Sequence, residues 1–144
     1  MNLKNNKGVT GVDIAISIVI LIIFVSFIAA MFYNLSKSSK ELERKTTATN
    51  LAIEIIETMK ITEFDLLTIR DYAEINEDGL YQLLGQNIEI PNGYTVNLAI
   101  KNPEDNADMG ELMKTVSVEV IFKQQKDLTE KVSIETLIKD KDLR

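Results

Sequence analysis

The sequence predicts an α+β fold: one long N-terminal helix, half membrane-embedded and half amphipathic, packed on a small antiparallel sheet of about three strands. Three observations carry this. No proline occurs before Pro91 and no glycine between Gly11 and Gly79, so nothing interrupts a helix over that length. Residues 14–33 carry no charge. The C-terminal half holds three stretches in which every second residue is apolar, the period of a half-buried strand.

The apolar run comes first. Its polar interruptions before Tyr33 are Ser17 and Ser26. A helix of this length measures ~30 Å, about the thickness of a bilayer's hydrocarbon core, so the segment is expected to enter a membrane. Residues 1–8 contain Lys4 and Lys7 and no acid, which places that end on the cytoplasmic side and the rest of the chain outside. Ahead of the run, Thr10 and Asp13 have capping-box spacing, with Thr10 as N-cap. A carboxylate abutting a span also reads as functional, because burying it needs a partner. Both readings of Asp13 stand.

From residue 34 the composition turns polar without a helix breaker, so one helix is expected from about residue 10 to 61, ~75 Å long. Its outer half is amphipathic. Ala48, Leu51, Ala52, Ile55, Ile56 and Met59 fall in one sector of about 140°, the width of a face buried by its own domain. Leu35, Leu42, Thr46, Thr49 and Ile53 form a second, narrower line on another side. A folded head does not easily cover both. The second line is either an assembly face or scattered surface aliphatics.

Residues 63–86 read as a partly helical connector. A short helix is expected around 64–72, and Phe64, Leu67, Tyr72 and Tyr81 are expected to pack on the spine, with Gly79 and Gly85 as punctuation. Strands follow at 94–100, 115–122 and 130–138, with Val96, Leu98 and Ile100, then Val116, Val118, Val120 and Phe122, then Val132, Ile134 and Ile138 on one face. This is an antiparallel meander with one apolar side and one wet side. Glu104, Asp105 and Asp108 lie in an acidic loop that lacks the glycine and spacing of a calcium-binding loop and reads as a turn.

Composition excludes most chemistry. The 144 residues suit one membrane helix and one small domain. There is no histidine and no cysteine, hence no ready general base, thiol nucleophile or soft metal ligand. No catalytic residue, metal site or cofactor is expected. The 16 basic and 22 acidic residues give a charge of −6, which argues against direct nucleic-acid binding.

The stretch Lys7-Gly8-Val9-Thr10-Gly11-Val12-Asp13, followed by the apolar run, resembles the prepilin signal of the type IV pilin family. The resemblance implies a leader at residues 1–8, cleavage by a prepilin peptidase between Gly8 and Val9, methylation of the Val9 amine, and Asp13 as the acid at the fifth mature position. Without Lys4 and Lys7 the mature chain carries 14 basic residues against 22 acidic, a charge of −8. The family usually has Phe where Val9 stands, Glu where Asp13 stands and, in major subunits, a proline near Ala29 and Ala30. These departures favour a minor pilin or pseudopilin. The order of elements is similar to the pilin fold over the full length. It implies a transmembrane and assembly helix at 9–33, a spine helix at 34–62 and a head at 63–144. The partners implied are other pilin or pseudopilin subunits, the peptidase and an inner-membrane assembly platform. Asp13, Leu35, Leu42 and Ile53 would face neighbouring subunits, and Ala48, Leu51, Ala52, Ile55 and Met59 would join spine to head. The rival is an uncleaved, signal-anchored ectodomain that binds a protein partner without polymerising.

Overall fold

The computed structural model describes residues 10–103, 112–123 and 128–140. The chain forms two compact units, one up to Lys40 and one from Glu41 onward. A single helix, α1 (Gly11–Ile61), contributes to both.

In the first unit, every residue of α1 is exposed, including Ile20, Phe24, Phe27 and Phe32. This helix is long and apolar enough to span a membrane. The two serines within the apolar run are satisfied internally: Ser17 Oγ donates to the Asp13 carbonyl and Ser26 Oγ to the Ile22 carbonyl, each at 2.8 Å. Neither therefore brings an unpaired polar group into an apolar surrounding.

In the second unit, the outer part of α1 lies against a sheet of four strands, β1 (Arg70–Ile75), β2 (Tyr94–Lys101), β3 (Met113–Lys123) and β4 (Thr129–Lys139). The strands are in order β1-β2-β3-β4 and every neighbouring pair is antiparallel. The helix and sheet bury one core, containing Leu51, Ile55 and Met59 from α1 and Leu98, Ile100, Val116, Val118, Val120 and Phe122 from the sheet. Period-two alternation places these strand residues on one face.

The sheet has four strands rather than about three. The additional one, β1, lies where a short helix was expected; only a 3₁₀ turn, Phe64–Leu66, forms there. The reason is visible in its composition. Arg70, Asp71 and Glu74 make up half the strand and Ile75 alone is buried, so no apolar period marks it. Pairing with β2 holds it, with a register shift between Arg70 and Ala73. Tyr72 and Tyr81 are exposed rather than packed on the spine, whereas Phe64 is half-buried and Leu67 fully buried. Lys114 fixes the 3₁₀ turn, donating to the Phe64 carbonyl at 2.9 Å with its ammonium 4.1 Å from the ring centre.

A second helix, α2 (Glu77–Leu84), buries Leu80 and Leu84. Asn76 caps it, its side chain accepting from the Gly79 N–H at 2.9 Å, and Gly85 closes it in the left-handed region at φ 68°. Gly79 is also needed for space, since a Cβ there would lie 2.9 Å from Ile75 Cγ1. Replacing Asn76 by Ala is expected to cost ~1 kcal/mol. In thermal unfolding this lowers the midpoint by about 4–8 °C for a domain of this size, and Asn76→Asp should restore it.

Candidate functional site

The features that could do something are on α1, beginning at its start. Thr10 and Asp13 close a reciprocal capping box. Asp13 Oδ2 accepts from the Thr10 N–H at 3.0 Å and from Thr10 Oγ1 at 2.7 Å, and the Asp13 N–H reaches Thr10 Oγ1 at 3.4 Å. This satisfies donors that a helix N-terminus leaves open. Among the described residues no cation pairs with the carboxylate. Gly8 and Val9, read as the cleavage and methylation positions, lie outside the described residues.

Farther along, the helix separates two kinds of apolar residue. Ala48, Ala52, Ile55 and Met59 are 0% exposed and Leu51 is 4%. Leu35, Leu42 and Ile53 are 59%, 62% and 41% exposed. Thr46 is exposed and Thr49 half-buried, with Thr49 Oγ1 donating to the Lys45 carbonyl. Ile53 and Ile55 are two residues apart, or about 200° around the helix, which is why one is buried and the other is not.

The head is fastened to the helix at one end by Arg44. Its guanidinium donates to the Lys123 carbonyl at 2.7 Å, and the Tyr94 hydroxyl donates to the Arg44 carbonyl at 3.2 Å. Tyr94 and Phe122 stack at 5.9 Å beside this contact.

The wet face of the sheet carries a polar cluster that the sequence pattern did not single out. Lys131 donates to Glu119 at 2.8 Å, and Asn97 approaches the same carboxylate at 3.4 Å. Glu119 is only 8% exposed although it faces away from the core. The bond to Glu119 holds the Lys131 ammonium above its ordinary pKa. Burial first, and the Glu119 charge second, push the Tyr72 phenol up. The signal was present only in the register. Ser133 faces Glu119, which brings Lys131 to the diagonal position, and such pairings follow from the strand alignment rather than from the sequence.

Nearby, Tyr72, Ala99, Lys101, Thr115, Glu135 and Leu137 line an open hollow of about 530 Å³. On its lining the Ser117 hydroxyl donates to the Glu135 carboxylate at 2.9 Å. Among the described residues no three potential metal ligands converge, and the acidic loop at residues 104–108 lies outside them. Compared with known protein families, curated proteins and solved structures, the chain matches none.

Proposed function

We propose that the chain is a minor pilin or pseudopilin, a non-enzymatic subunit of a type IV pilus, a type II secretion pseudopilus or a DNA-uptake filament. It would first sit in the cytoplasmic membrane as a single-pass protein with its head outside. After processing by a prepilin peptidase it would pass, through an inner-membrane assembly platform, into an extracellular or envelope-spanning filament. The observation that carries this reading is the two-sided helix behind an apolar span: Leu51 and Ile55 are consumed by the head, whereas Leu35, Leu42 and Ile53 are left open. Filament subunits packed through their helices would cover such a stripe. Each Leu or Ile so buried contributes about 1.5–3 kcal/mol.

One observation favours the rival, an uncleaved signal-anchored ectodomain. The Thr10 box already accounts for Asp13 without a second subunit. The N-terminus decides between them. Made beside a prepilin peptidase, the mature chain is expected to begin at Val9 with a methylated amine, read by mass spectrometry of the N-terminal peptide. Replacing Gly8 with a large residue should leave the leader attached. An intact Met1 end in the unaltered chain, or a start near Met31, rejects the filament assignment.

A further inference from the structure

We propose that Lys37 and Lys40 form a contact for anionic phospholipid headgroups at the boundary where α1 leaves the membrane. The proposal rests on the membrane reading of the apolar run. Both lysines are exposed, and among the described residues neither has an ion-pair partner. The span ends in Phe32 and Tyr33, aromatic residues of the kind that settle at a membrane interface. On a helix, Lys37 lies ~6 Å and Lys40 ~10 Å beyond Tyr33. The headgroup layer is about 5–8 Å deep on each side of the hydrocarbon core, and a lysine stem reaches several ångströms back towards it.

The next two cations are different. Arg44 and Lys45 belong to the second unit, and the Arg44 guanidinium is engaged by the Lys123 carbonyl. Four basic residues therefore follow the span within a dozen positions, Lys37, Lys40, Arg44 and Lys45, against Lys4 and Lys7 before it. Two lysines seated on lipid phosphates would fix how far the helix sinks. The same contact would have to be released before a subunit left the bilayer.

The absence of cysteine makes the test direct. The full chain carrying Ser36→Cys is labelled with an environment-sensitive fluorophore and reconstituted in vesicles of phosphatidylcholine, or of phosphatidylcholine with about a third phosphatidylglycerol. The expected result is a blue shift in the anionic vesicles at low salt that is lost in high salt. The shift should also be lost in Lys37→Gln/Lys40→Gln, with a preference for anionic lipid on the order of tenfold or more disappearing with it. Inorganic phosphate added to neutral vesicles should produce no shift. A shift with free phosphate, an equal shift in the double variant, or no difference between the two lipids overturns the proposal. A chain that stays behind when the vesicles are floated overturns the membrane reading as well, whereas one that floats without lipid dependence overturns this inference alone.

Discussion

Ile55→Glu is expected to unfold the head, whereas Ile53→Glu two residues away is expected to leave it standing. Ile55 is 0% exposed in the core between α1 and the sheet. Truncating such a residue alone costs about 2–5 kcal/mol, and an unpaired carboxylate in its place adds a desolvation cost of several kcal/mol. Against a total stability of about 5–15 kcal/mol for a small domain, that sum is decisive. Ile53 is 41% exposed, so its replacement removes little buried area. The new charge meets Glu57 one turn on, a repulsion of about 0.2–0.5 kcal/mol. Thermal unfolding of the detergent-solubilised chain should show a collapse of the midpoint for Ile55→Glu and a nearly unchanged midpoint for Ile53→Glu. The second variant should nonetheless fail to copurify with the other filament subunits. Equal destabilisation by both would make the stripe ordinary core and remove the assembly argument.

Asp13→Ala is expected to abolish incorporation into filaments while leaving membrane insertion and head folding intact, and Asp13→Glu is expected to be tolerated. The comparison of magnitudes makes this informative. If the carboxylate only caps α1 through Thr10, its loss costs ~1 kcal/mol, and assembly continues. If in the filament it is buried beside a cation, the amine of Val9 in its own or a neighbouring subunit, removing one partner costs about 3–5 kcal/mol at every subunit. Filament fractions probed for the variant decide between these. Normal incorporation of Asp13→Ala leaves the capping box as the whole explanation.

The elements with a strong period were legible from sequence. Leu51, Ile55 and Met59 share a helix face, Val116, Val118, Val120 and Phe122 alternate, and both patterns lead to buried positions. What failed to show was held by backbone pairing rather than by side-chain burial. β1 is half charged and lies at the sheet edge, and Tyr72 belongs to the outer face through its strand, not to the spine through its ring. Even β4 gives a graded answer: Ile138 is buried, but Val132 and Ile134, on the same edge strand, are only half-buried. The two apolar faces of α1 were legible in the same measure. Helical spacing separated the Ile55 face from the Leu42 and Ile53 face. The Glu119 and Lys131 pair needed strand register, which no local pattern encodes.

The sheet order has a consequence for how the head is born. Chains are synthesised from the N-terminus, and among the described residues β4 is both the last strand in sequence and the one that covers the far side of β3. Until residues 129–139 have been made, that side of β3 stands as a naked border, with eleven residues waiting for eleven partners. Such a border is a template for wrong pairing between nascent chains. The β3 border is therefore closed last, when β4 pairs with it. The charges of Lys131, Glu135 and Lys139 on the closing strand then serve as the seal that keeps finished heads apart.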